Sequence, residues 1–255
     1  MITKAELKYY SSLLQKKYRD ETKKFLVEGE KFIFEAVNSQ LKCEAILYNN
    51  HYYSKNNEQV QALAKLVDRF EIIPEKDFQK IQSTITSQGI AGVFTQIPSE
   101  ASSNKITDNL IVALEGINDP GNVGTIIRNA DWFGIKNILL DADCADIYNP
   151  KTIRASAGSI FHINLYKDIN MNQMLNSFKQ KKYKILCTDT RGNNIYNSAN
   201  YKKAIIVFSN EANGPSENLM SIADEKLTIP KIGKAESLNV ASASAVILSE
   251  LTKRS

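Results

Sequence analysis

Short apolar runs and stretches of helical spacing alternate along this chain from one end to the other. An opening helix carries Lys4, Lys8, Lys16, Lys17 and Arg19 among Tyr9, Tyr10 and Tyr18. Residues 24–27 read as a strand running into Glu28-Gly29, and helical periodicity follows over Glu30–Asn38. A strand is predicted at 45–48, a helix at 59–69, an extended segment at 70–73 and a helix at 76–82. The glycine-punctuated stretch 86–94 is again extended. Strands alternating with helices predict a small α/β layer.

The pattern changes once, between Ile97 and Asp108, where IPSEASSNKITD is polar, contains Pro and Ser, and lacks apolar periodicity. This predicts a domain at 1–97, a linker at 98–108 and a second domain at 109–255. The second begins with a continuous apolar run at 110–114, the kind of strand that is buried on both faces. A loop at 115–124 opens a helix at 125–133, Gly134 stands where a helix-terminating glycine belongs, and 138–140 is the next strand. Further helices are predicted at 151–159 and 170–182, and strands at 184–188, 204–208 and 227–229. A parallel sheet follows, with ligands expected beyond the carboxyl ends of its strands.

Three polar loops follow apolar strands and so should meet on one sheet edge. The first holds Asn118, Asp119, Asn122 and, further along its helix, Arg128; the second, residues 207–216, sets Glu211 between two asparagines. The third, IPKIGKAESLNVASASAVIL from Ile229, carries Glu236, Ser237 and Asn239 at the mouth of a helix of small residues. A helix N-terminus offers unpaired N–H donors and a positive dipole end, so polar residues there can organise a ligand site. The plainer reading makes Ser237 only the cap of a core helix, and pairs Arg128 with Asp131 on a surface helix.

Composition narrows the chemistry. The chain has 255 residues, 43% apolar and 24% charged, as in soluble globular proteins, and a net charge of +4 that permits a nucleic-acid partner without demanding one. Cys43, Cys144 and Cys187 lie far apart, which signals neither a disulfide framework nor a zinc finger and fits a reduced, cytoplasmic setting. The charged start is no signal peptide and no apolar run approaches membrane-spanning length. His51 and His162, the two histidines, have no neighbouring ligands or nucleophiles, so no metal site is expected. The loop at Gly121–Gly124 is not a dinucleotide fingerprint, and a Walker loop is absent. What remains is a site of Asn, Ser, Glu and one Arg, suited to binding and orientation.

The segments NDPGNVGTIIRNADWFG, NPKTIRASAGSIFH, IVFSNEANGPS and IPKIGKAESLNVASASAVILSE, in that order, resemble the successive motifs of the SpoU-TrmH family of SPOUT RNA ribose 2′-O-methyltransferases. The N-terminal part, with FLVEGEKFIFEAV and TSQGIAGVF, is similar to the ribosomal-protein-like RNA-binding domain many members carry. The resemblance implies a parallel α/β domain with a deep trefoil knot, S-adenosylmethionine as cofactor, and a homodimer. It places Ser209, Gly214, Ile229 and Leu238 against the cofactor and makes Asn122, Arg128, Glu211, Ser237 and Asn239 the catalytic set. In the implied mechanism Arg128 contacts the target phosphate and ribose and takes part in deprotonation, oriented by Glu211 and Asn122. Ser209 stands where the family usually has glycine, and would crowd the cofactor if that position needs a positive φ. The expected substrate is structured RNA, ribosomal before transfer RNA; the opposing reading is a non-catalytic RNA- or ribosome-binding protein.

Overall fold

The computed structural model of the chain describes residues 2–98, 102–210 and 213–253, apart from the side chain at position 57. Its contacts divide into two compact units, Met1–Pro98 with Tyr148–Phe161, and Ser99–Ile147 with His162–Ser255.

In the first unit, α1 (Lys4–Ser12) starts with a capping box in which Thr3 Oγ1 accepts from the Glu6 N–H and the Glu6 carboxylate accepts from the Thr3 N–H. The single opening helix expected from the sequence is broken, and α2 (Lys16–Thr22) is separate. Ser11 and Ser12 explain the break: their hydroxyls donate back to the carbonyls of Lys8 and Tyr9, a local bond that competes with helix continuation. Then come β1 (Lys24–Glu28), α3 (Glu30–Asn38), β2 (Cys43–Tyr48), α4 (Asn50–Lys55), α5 (Asn57–Ala64), β3 (Phe70–Ile72), α6 (Glu75–Phe78) and β4 (Ile90–Thr95). The sheet runs β1-β4-β2-β3, antiparallel except for the β2–β3 pair. One of its faces buries Leu26, Leu47 and Val93 with Leu7, Tyr10 and Phe78 of the helices. Residues 148–161, which follow the linker in sequence, belong here by contact: the Tyr148 ring lies 4.5 Å from that of Phe25, and its hydroxyl accepts from the Ile97 N–H.

The second unit holds β5 (Leu110–Glu115), α7 (Pro120–Trp132) and β6 (Asn137–Asp141). The chain then passes through α8 (Pro150–Ser156), part of the first unit, and continues as β7 (Asn164–Ile169), α9 (Met171–Gln180), β8 (Lys184–Asn194), β9 (Ala204–Ser209), α10 (Glu217–Ile222), β10 (Glu225–Thr228) and α11 (Val240–Thr252). All six strands are parallel, in the order β10-β8-β9-β5-β6-β7. β7 was not foreseen because it is an edge strand with no fully buried residue, and so has no apolar signature. Ile111, Ala113, Ile205 and Val207 of the central strands pack with Leu175 and Phe178 of α9. Where β8 and β10 pass each other, a Cβ on Gly192 would come within 2.6 Å of the Lys226 main chain, so only glycine fits that crossing. Among the described residues no helix is long and apolar enough to cross a membrane.

Candidate active site at the carboxyl edge of the parallel sheet

The chain order reverses at the β5–β9 pair, with β6 and β7 to one side and β8 and β10 to the other. Reversal of this kind splays the loops at the carboxyl ends and opens a crevice there. Glu115 ends β5 beside Ser209, which ends β9. Ser209 is almost fully buried, its backbone φ is not positive, and its hydroxyl donates to Glu115 Oε2 over 3.0 Å. The crowding that a positive φ would bring therefore does not arise.

Glu115 also accepts from the Ser216 N–H (3.1 Å) and the Ser216 hydroxyl (2.7 Å), so one carboxylate closes both ends of the loop from Ser209 to Ser216. Asn210 adds two bonds, from its N–H to the Glu115 carbonyl and from its side-chain amide to the Gly116 carbonyl. Gly116 adopts φ +63° and donates its N–H to the carboxylate of Asp141 at the end of β6. Within the loop Gly214 has φ +65° and donates to the Asn210 carbonyl. Glu211 lies outside the described residues.

α7 begins five residues before the predicted helix. Asp119 caps it, accepting from the Asn122 N–H over 2.9 Å, and Pro120 fills the first helical position, where a missing N–H is harmless. Gly121 and Gly124 weaken the helical signal there without preventing the helix. Asn122 thus stands in the first helical turn. α11 is capped by Asn239, whose Oδ1 accepts from the Ala241 and Ser242 N–H groups, so the cap is Asn239 and not Ser237. The Asn239 amide then donates to Asn122 Oδ1 over 3.0 Å, joining the N-termini of two 13-residue helices. Seven residues on, about two turns of helix, Asn129 lies on the same side of α7. Its amide donates to the Ala241 carbonyl (2.8 Å) and to Ser244 Oγ (2.9 Å), a second rung between the helices.

Arg128 flanks this seam with its side chain exposed, and makes no hydrogen bond or ion pair among the described residues. Asp131, its alternative partner, instead lies 3.1 Å from His162 Nδ1. Ser237 is exposed, as is every residue from Pro230 to Asn239; Leu238 is 52% exposed and Ile232 fully so, while Ile229 directly follows β10 at intermediate burial. Two positive helix ends, Arg128, Lys231 and Lys234 make this edge attractive to anions. Burial pushes the Cys187 thiol up to about 11 and Cys144 further, so neither is a thiolate nucleophile at neutral pH. No group of three or more metal-ligating side chains occurs among the described residues.

Of the predicted residues, the structure directly joins Asn122 to Asn239 and places Ser209 and Gly214 in one closed loop. The sequence reading missed Glu115, Asn129, Asp141 and Asn210, which hold the others. A charged residue ending a buried strand, as Glu115 does, was the available signal.

The chain superposes on solved RNA methyltransferases. An rRNA methyltransferase from Sinorhizobium meliloti with AdoMet bound superposes with a TM-score of 0.82 at 28% identity, covering 99% of this chain and 96% of that one. An RNA 2′-O ribose methyltransferase superposes at 0.83 with 25% identity, covering 99% and 96%. Residues 109–249 match the SpoU rRNA Methylase family, and residues 4–92 match the MRM3-like substrate binding domain. The 23S rRNA (guanosine(2553)-2′-O)-methyltransferase RlmP of Bacillus subtilis (strain 168) is 30% identical over 247 residues, 96% of this chain and 95% of the relative. The chain belongs to the SpoU rRNA methylase family.

Proposed function

We infer that the chain transfers a methyl group from S-adenosylmethionine to a ribose 2′-hydroxyl of ribosomal RNA. The observation that carries this reading is the joining of two helix N-termini through Asn239 and Asn122, the latter on the helix that also carries the exposed Arg128. The cofactor fits the residues present. Leu238 and Ile232 leave apolar surface uncovered, and the main chain from Ile229 to Asn239 is in neither helix nor strand, which suits the apolar and polar faces of an adenosyl group. Ser209, Gly214, Ile229 and Leu238 would hold it.

When bound, the cofactor supplies a methyl already made electrophilic by a sulfonium. The protein's task is alignment and removal of one proton, and alignment alone can lower a barrier by roughly 7–11 kcal/mol. Arg128 binds the phosphate beside the target ribose through its forked donors. A guanidinium is a reluctant base; the part of Arg128 in deprotonation therefore depends on the ribose and phosphate it holds. Asn122 and Asn239 fix the mouth of the site, and Ser237, two residues before the cap, faces the open side with the ribose. Glu211 completes the set in this reading. Ribosomal RNA is favoured over transfer RNA because the RlmP relative matches the chain through both units and the N-terminal part matches a substrate-binding domain. The trefoil knot is supported by α11, which leaves the edge strand β10 yet packs on α7 and reaches β9. A homodimer and a cytoplasmic location belong to the same reading.

Labelled S-adenosylmethionine incubated with the protein and total RNA tests it. Label should enter a ribosomal RNA and survive as a 2′-O-methyl nucleoside, and Arg128→Ala should abolish transfer while leaving cofactor affinity within about twofold. Transfer retained by Arg128→Ala refutes its role; cofactor binding with no label in any RNA identifies a non-catalytic binding protein.

A further inference from the structure

We propose that Glu115 is a positioning residue for cofactor binding, holding Ser209 and Ser216 together at the carboxyl end of β5. It touches neither the reacting atoms nor the RNA in this reading, which rests on the function proposed above. Its carboxylate is the meeting point of three donors: the Ser209 hydroxyl at the start of the loop, and the Ser216 N–H and hydroxyl at its end. Ser216 is itself fixed, because its hydroxyl caps α10 by accepting from the Leu219 N–H. β5 is buried along its four central residues and pairs with β9 at every position from Leu110 to Glu115, so the carboxylate projects from a rigid strand. A charged acceptor on a rigid element holding both ends of a loop reduces the conformations that loop must give up when it binds a ligand. The serine side chain at 209 supplies one of the three donors, so this position takes part in the device that holds Ser209 to Ser216.

Cofactor binding to the full chain, measured by calorimetry with S-adenosylmethionine and S-adenosylhomocysteine, tests the proposal alongside steady-state methylation. Glu115→Ala should raise both Kd values at least tenfold, equivalent to about 1.4 kcal/mol. The KM for S-adenosylmethionine should rise while the KM for RNA stays within twofold and kcat at saturating cofactor falls less than threefold. Glu115→Gln keeps an amide oxygen that accepts from the Ser209 hydroxyl and the Ser216 N–H and sets its amide N–H to donate to Ser216 Oγ, so it should restore affinity to within about threefold of the parent. Ser209→Ala should weaken binding in the parent and add less than twofold to Glu115→Ala, since the bond it removes is already gone. Unchanged affinity in Glu115→Ala, or additive losses in the double variant, overturns the proposal. If Glu115→Ala does not fold by circular dichroism, Ser216→Ala carries the test: a loss of about threefold in affinity supports the proposal and no loss overturns it. A parent protein that binds no cofactor and methylates no RNA defeats the function reading, whereas a fully active parent with an indifferent Glu115 defeats only this one.

Discussion

Replacing Asn129 tests whether the α7–α11 seam is held by its polar rungs. The Asn129 amide donates to the Ala241 carbonyl and to Ser244 Oγ, and Ser244 is fully buried. Asn129→Ala removes both bonds. Neutral hydrogen bonds contribute about 1 kcal/mol each, so the loss should be about 2 kcal/mol. It should not greatly exceed that, because Ser244 Oγ still donates to the Ala241 carbonyl over 2.8 Å and no buried donor is stranded. For a unit of this size the shift in Tm is about 4–8 °C. Asn129→Asp is the sharper perturbation. It keeps the volume but turns a carboxylate oxygen toward the Ala241 carbonyl, so it should destabilise more than Ala does. Urea unfolding followed by circular dichroism measures both variants. A loss under 0.5 kcal/mol in Asn129→Ala, or an Asp variant as stable as the parent, would refute the donor geometry on which the seam is argued.

Two further variants and conditions follow from the same bonds. Asn239→Asp keeps the cap, since a carboxylate accepts from Ala241 and Ser242 and favours the helix dipole, but cannot donate to Asn122; it should hold stability within about 0.5 kcal/mol while methylation falls at least tenfold, whereas Asn239→Ala should lose both by about 1 kcal/mol and a comparable rate factor. In the first unit, the Arg69 guanidinium and then the Thr3 N–H and hydroxyl lower the Glu6 carboxyl to about 2 from an ordinary 4.5. A depressed carboxylate stabilises above the unfolded value, so the tie from α1 to Arg69 should be complete above pH 4.5 and be lost as pH falls toward 2. A carboxyl resonance of Glu6 titrating near 4.5 in the folded protein would contradict it.

What the sequence made legible and what it hid separate along a physical line. Features that depend on near neighbours could be read: the buried run of β5, the parallel alternation, and the three polar loops at strand ends, all of which meet on one sheet edge. Helix starts were less visible because the sequence weighs propensity where the structure weighs end groups. α7 was predicted to begin at Thr125, after its glycines, yet the Asp119 cap and Pro120 start it earlier and move Asn122 from loop to helix. Likewise the plainer reading of the third loop makes Ser237 the cap of α11, whereas Asn239, whose side-chain amide both accepts from the helix and donates across to Asn122, satisfies more groups at once. The least visible residues were those that act at long range. Glu115 finds its partners 94 and 101 positions away and Asn129 its own at 112 and 115, separations that leave no period in the chain. The polar residues recognisable in the motifs are therefore presented at the edge of the sheet, while those that hold them in place become identifiable only once β5, β9, α7 and α11 are neighbours. This is why Glu115 and Asn129, rather than the motif residues alone, are where the geometry of the site is most directly tested.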